Sequence, residues 1–209
     1  MTACGRQDVA GRDRPQPPVR HRPRRGRRPA PPAGPQTDRD SLYSHLLAVA
    51  ALVLEYGGDE DQAIAGLLHD VVEDRGGTPT LTRIRATFGD RVADIVAACS
   101  DTLTDPKPPW RPRKETYLLH LRTAPAEVLL VSLADKLHNA RSILRDLRTV
   151  GPEVWERFNA GVNDQLWYYR SLAQTFSKRL PGPAADELLE VVESIVRLSE
   201  QASRAEDER

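Results

Sequence analysis

Four polar residues interrupt helix faces that are otherwise apolar, and their types suit a divalent metal. His45 lies inside the apolar run Leu42 to Leu54. His69 and Asp70 follow Ala65-Gly66-Leu67-Leu68 and precede Val71-Val72, and Asp135 closes the run Val128 to Ala134. A carboxylate at the end of such a run is costly unless it is paired or bound to a cation. Two imidazoles and two carboxylates drawn from three helices could converge on one ion. That mixed nitrogen and oxygen set suits Mn²⁺, Fe²⁺, Co²⁺ or Zn²⁺ better than Ca²⁺. His69 and Asp70 are about 100° apart around a helix. Both therefore reach one cleft only if the end of their helix faces it.

Glu73 and Asp74 stand one turn further on, at i+4 from His69 and Asp70 respectively. Acids near a helix C-terminus oppose its dipole, so helix stability gives no reason for them. A carboxylate beside the metal can take a proton from water or hold that water in line with phosphorus. Asn139, at i+4 from Asp135, offers an amide for substrate recognition. Taken singly, His45 reads as a core histidine, His69-Asp70 as a common dipeptide and Glu73-Asp74 as a solvated pair. Their joint occurrence in apolar contexts favours the metal reading.

These residues need helices to position them, and the hydrophobic pattern supplies helices throughout. One runs from about Ser41 to the Gly57-Gly58 pair. A second starts at Asp59 or Glu60 and breaks at Gly76-Gly77. Thr80 is expected to cap a short helix ending near Phe88, and another follows from Gly89-Asp90 through Cys99. After a Pro-rich loop (105–112) come helices around Lys114–Arg122, from Pro125 to about Arg148, from Pro152 to about Ser177, and after Pro183. No segment alternates like a strand. The expected fold is all-α, a bundle of about seven to eight helices over residues 41–200. Cys99 reads as a small core residue, and Trp155, Phe158, Trp167, Tyr168 and Tyr169 as packing residues of one late helix. His138 is expected on the helix face away from the metal, and neither it nor His120 is expected as a ligand.

Composition narrows the function classes. The 209 residues carry 30 basic and 30 acidic side chains, so net charge gives no reason to expect nucleic-acid binding. No run of about 18 apolar residues could span a bilayer, and the basic N-terminus lacks the apolar stretch of a secretory signal. A cytoplasmic location and no membrane partner are expected. Residues 1–40 hold eight Pro, ten Arg and four Asp, with no Lys or Glu. Such a stretch cannot bury enough surface to offset its ordering entropy, and is expected to be a disordered tail.

The order His45 … His69-Asp70 … Asp135 resembles the metal-binding signature of the HD superfamily. The match narrows at Ala65-Gly66-Leu67-Leu68-His69-Asp70-Val71-Val72-Glu73-Asp74, at Phe88-Gly89-Asp90-Arg91-Val92, at Lys114 to Tyr117, and at Leu133-Ala134-Asp135-Lys136-Leu137-His138-Asn139-Ala140-Arg141. These segments resemble the hydrolase half of RelA/SpoT-type proteins and the small alarmone hydrolases, over roughly residues 41–175. The resemblance implies an HD-domain bundle and a metal-dependent phosphohydrolase. The implied reaction is removal of the 3′-pyrophosphate of (p)ppGpp in the stringent response, with Mn²⁺ as the expected metal. It implies metal ligation by His45, His69, Asp70 and Asp135, with the catalytic water handled by Glu73 and Asp74. It makes Lys114, Tyr117, Lys136, Asn139, Arg141 and Tyr168 candidates for contact with a phosphorylated guanine nucleotide.

The front of the pattern departs from the family. Tyr43 stands two residues before His45 rather than three, and residues 1–40 lack the amphipathic helix and Arg-Lys loop that the family carries there. Arg39 is the nearest substitute. A reading frame shifted upstream of about Asp38 would explain the join; peptides from residues 1–38 in cell extract would end that idea. Two other functions stand against (p)ppGpp hydrolysis: an HD-type phosphatase or phosphodiesterase on another nucleotide, and a catalytically impaired nucleotide-binding regulator. No synthetase region follows the pattern, so a hydrolase-only protein is expected, of open oligomeric state.

Overall fold

A computed structural model describes residues 38–74, 76–102 and 106–207, within the second of two compact units, Gln36–Arg209. Of the Arg/Pro-rich tail expected over residues 1–40, the last three residues are helical and open the first helix, and residues 1–37 lie outside the described residues. These contain nine α-helices and one 3₁₀ helix and no strand: α1 Asp38–Glu55, α2 Glu60–Leu68, α3 Val71–Asp74, α4 Gly77–Phe88, α5 Asp90–Cys99, α6 Trp110–Leu121, α7 Ala126–Val150, the 3₁₀ helix Gly151–Arg157, α8 Val162–Arg179 and α9 Pro183–Asp207. None of them is long and apolar enough to cross a membrane.

The α7 helix is the axis of the bundle, packed by α1, α2, α5, α8 and α9. Its residues Leu129, Leu133 and Leu137 are fully buried. Each such leucine contributes roughly 1.5–3 kcal/mol by leaving water, so the helix that carries Asp135 is held firmly. The α1 helix packs on α2 and α7 through Val49, Leu52 and Val53. It ends because Gly57 takes φ +86° and Gly58 donates its amide to the Val53 carbonyl at 2.8 Å. A Cβ at Gly58 would lie 2.5 Å from Val53 Cγ1, so only glycine fits this return.

Several boundaries differ from the sequence expectation, and α6 already begins at Trp110, inside the expected loop. The second helix pauses at His69-Asp70 rather than running to Gly76, so Asp59 caps α2 and a separate turn, α3, follows. Gly76 at φ +105° opens α4, which leaves Thr80 buried inside its first turn and not at the cap. The helix expected from Pro152 to Ser177 is split into the 3₁₀ helix and α8, because the backbone at Phe158 turns extended. Trp155 and Phe158 thus belong to a connection across the bundle, not to the α8 face.

Candidate metal centre and adjoining cleft

The pause at His69-Asp70 lets two neighbouring side chains face the same way. The Gly66 carbonyl, which a continuous helix would offer to the amide of Asp70, accepts the His69 Nδ1–H at 2.8 Å. That bond fixes a proton on Nδ1, so Nε2, which faces inward, is the nitrogen that can give up its proton and offer a lone pair to a cation. His45 from α1 and Asp135 from α7 meet it there. His45 Nε2 lies 3.3 Å from His69 Nε2, 3.4 Å from Asp135 Oδ1 and 3.6 Å from Asp70 Oδ2. His69 Nε2 lies 3.2 Å from Asp70 Oδ1 and 3.5 Å from Asp135 Oδ1. All four sequence-selected residues are therefore brought together. Among the described residues, the ligand atoms of His45, His69 and Asp70 all lie within 4.8 Å of one another. The His69 side chain is 3% exposed and that of Asp70 38%, so the cluster is buried on one side and open on the other.

The charges show why this donor set fits a cation. Burial pushes His69 toward the neutral form, but the Asp135 and Asp70 carboxylates outweigh it and raise its pKa to about 10. Asp135 is held well below the usual carboxylate range; burial opposes this, and Lys136 and the two histidines overcome it. Two carboxylates and two facing imidazole nitrogens demand positive charge at their centre, which a divalent ion supplies without a proton on His69. His138, expected on the far face of α7, instead packs on His45 with its Nδ1 2.8 Å from His45 Nδ1. The three-residue spacing from Asp135 carries it to the same side.

Glu73, in α3, accepts the Asp101 amide at 2.7 Å and faces Lys107 at 3.4 Å. Burial first, and then the Asp101 carboxylate, raise its pKa. The side chain of Asp74, the second expected catalytic carboxylate, lies outside the described residues.

A cleft of 370 Å³ adjoins the cluster, lined by Trp110 and Lys114 of α6, Lys136 and Asn139 of α7, and Tyr168 and Tyr169 of α8, with Phe158, Arg157 and Gln165 at its edge. Asn139 joins the two regions, since its amide donates to Asp135 Oδ1 at 2.6 Å. Lys136 Nζ meets Asp135 Oδ2 at 2.5 Å, and Lys114 Nζ meets Asp101 Oδ2 at 2.5 Å. Burial and the repulsion of Lys136 hold the Lys114 pKa down despite Asp101. Tyr168 is 4% exposed, and its hydroxyl has no partner among the described residues. A buried hydroxyl without a hydrogen bond forfeits about 1–3 kcal/mol, which a ligand oxygen could restore.

Two expected nucleotide contacts are corrected. Tyr117 is 3% exposed, and its hydroxyl pairs with Ser132 at 2.8 Å, so it supports Lys136 from inside the core. Arg141 donates from Nε and Nη2 to the two carboxylate oxygens of Glu187 of α9, at 2.6 and 2.7 Å, outside the cleft lining. Cys99 is buried against Ser132, and burial pushes its thiol up to about 12, in keeping with a packing role. Sequence reasoning passed over Asp101 and Trp110. Trp110 stands at i−4 from Lys114, a spacing that could have revealed it; Asp101 follows the end of α5 and had no such signal. A larger hollow of 710 Å³ between the outer sides of α6 and α8 holds none of these groups.

Comparison with known proteins gives the same picture. The family model described as HD domain matches residues 31–163. The guanosine-3′,5′-bis(diphosphate) 3′-pyrophosphohydrolase MESH1 of Xenopus tropicalis is 38% identical over 120 residues, 56% of this chain and 62% of that protein. The enzyme of the same activity from Haemophilus influenzae is 35% identical over 111 residues, 50% of this chain but 16% of the relative. The chain thus spans less than two thirds of these curated relatives. The crystal structure of lmo0812 from Listeria monocytogenes EGD-e superposes with a TM-score of 0.66 at 35% identity, covering 73% of this chain and 99% of that one. A metazoan ortholog of SpoT that hydrolyzes ppGpp shares the fold, at TM-score 0.57 and 24% identity over 72% of this chain and 79% of its own. A match over more than half of its residues, on the helical scaffold just described, shows that the chain belongs to the HD-domain family.

Proposed function

We propose that the chain is a metal-dependent phosphohydrolase acting on (p)ppGpp, with Mn²⁺ held by His45, His69, Asp70 and Asp135. The observation that carries this reading is that both carboxylates lie within 3.6 Å of the facing histidine Nε2 atoms, beside a cleft that presents two lysines, an amide and a phenol unpartnered among the described residues. A divalent ion held there supplies Lewis acidity, offsetting phosphate charge and making water a stronger acid.

The chain's own groups divide the remaining work. Glu73, whose raised pKa suits it to accept a proton, takes one from the attacking water. The water oxygen bonds to the first phosphorus of the 3′-pyrophosphate, and the bond from that phosphorus to the ribose 3′ oxygen breaks. The 3′ oxygen leaves with a proton, giving GDP or GTP and pyrophosphate. Asp74 assists Glu73 in this reading. Lys114 and Lys136 face the phosphates, Asn139 and Tyr168 the nucleoside, and Trp110 offers a ring for the base. A cytoplasmic location belongs to the same proposal.

One observation favours a second substrate class. Lys114 and Lys136 already pair with Asp101 and Asp135, and Arg141 with Glu187, so fewer cations are free than four or five phosphates would engage. An HD-type phosphatase on a less charged nucleotide fits that inventory. Purified protein given ppGpp and Mn²⁺ is expected to release pyrophosphate and GDP, read by anion-exchange chromatography. Turnover of a simple nucleotide with none of ppGpp would establish the second reading.

A further inference from the structure

The two ligand histidines differ in what holds their outer nitrogens. An imidazole can present a lone pair at Nε2 only when its proton sits on Nδ1. For His69 a backbone carbonyl, which can only accept, enforces that arrangement. His45 has no such partner. Its Nδ1 lies 2.8 Å from the Nδ1 of His138, a ring nitrogen that can either accept or donate. The two rings lie 4.8 Å apart, tilted by 53°, so the nitrogens approach edge to edge without stacking.

Two arrangements of the pair are therefore available, and they differ in consequence. If His138 carries its proton on Nε2, its Nδ1 accepts from His45, and the His45 lone pair at Nε2 points at Asp135 and Asp70. If His138 carries its proton on Nδ1, it donates to His45. The His45 proton then sits on Nε2, directed at His69 Nε2 only 3.3 Å away, where it blocks a cation. We infer that His138 is a positioning residue for the metal centre, fixing the tautomer and the ring orientation of His45 through the Nδ1–Nδ1 hydrogen bond. This rests on the metal reading above and adds a role that the four ligands do not cover. One helix, α7, thereby supplies both a ligand, Asp135, and the partner that prepares a ligand on α1. Partners of this kind, acting through a ligand, typically change metal affinity 10–100-fold when removed.

The test measures Mn²⁺ affinity of the full chain by chelator competition, with melting temperature recorded alongside. Wild type is expected to bind. H138L, which cannot accept a hydrogen bond, is expected to lose about 10–100-fold in affinity while keeping its melting temperature within a few degrees. H138N places an amide oxygen where Nδ1 stood, and is expected to stay within about threefold of wild type. In Zn²⁺-loaded wild type, a long-range ¹H–¹⁵N spectrum should show protons on His45 Nδ1 and His138 Nε2. Equal affinities of H138L and wild type overturn the inference, as does a folded H138N as weak as H138L. The opposite tautomers in the spectrum do the same, even if both variants misfold. Wild type that binds none of Mn²⁺, Co²⁺ and Zn²⁺ overturns the metal reading and this inference with it.

Discussion

The two sides of α7 face two different kinds of site. Toward α1 and α2, Asp135 and His138 meet His45, His69 and Asp70, and the polar atoms converge on one point. Toward α6 and α8, Lys136 and Asn139 open onto a cleft whose lysines are paired with acids of the protein itself and whose phenol at Tyr168 has no partner among the described residues. The first side gathers donor atoms that suit a single small cation. The second holds its lysines against Asp101 and Asp135, so any anion entering the cleft would have to compete for them. The contrast explains why the metal side could be read from residue types, whereas the cleft depended on which partners the fold supplied.

Glu73 accepts the Asp101 amide, and its substitution sharpens the division most. E73Q is expected to lower kcat about 10²–10⁴-fold, the range for loss of a general base, with Mn²⁺ affinity within a factor of about two. A parallel loss of Mn²⁺ binding by equilibrium dialysis would move Glu73 to the metal side. Next in size is D101N, which acts on the cleft side. Burial pushes the Asp101 carboxyl up, but Arg113 and Lys114 outweigh it and hold its pKa at about 2, against 3.8 when unperturbed. Because the folded value is the lower one, ionised Asp101 stabilises the fold fully above pH 3.8. That contribution is lost as pH falls toward 2. D101N should therefore cost about 2 kcal/mol at pH 7 in denaturant titrations, with the gap narrowing below about pH 4. A gap that does not change with pH would show that packing, not charge, sets the effect. The smallest expected effect comes from Y168F. Losing an unpartnered buried hydroxyl should leave stability unchanged or raised by about 1 kcal/mol, while nucleotide binding weakens by up to about tenfold. A destabilised Y168F that binds nucleotide normally would remove the phenol from the cleft's function.

The helices were legible because apolar residues recur with the helix period and glycines or prolines punctuate them. Gly57-Gly58 ended α1 and Pro125 opened α7 as read. What the period does not show is a pause inside an apolar run. The stretch from Glu60 to Asp74 is uniformly helical in composition, and only the His69 bond to Gly66 marks where α2 stops. The clustering of the polar residues was legible for the same reason in reverse, since a charged group in an apolar run has to be paired. Tyr117 and Arg141 were misplaced because a tyrosine or arginine beside a motif looks the same whether it faces a ligand, Ser132 or Glu187.

By itself the amino-acid sequence determined the all-α class, the order of the helices, and the residues able to hold a cation. Those properties are local, set by each residue's polarity and its spacing along one helix. The tertiary structure alone decided that Arg141 turns to α9, that Asp101 restrains Lys114, and that His138 reaches His45. Each of these pairs joins residues on different elements, and the rotation of one helix against another is set by how their apolar faces interlock, which no period along a single chain encodes.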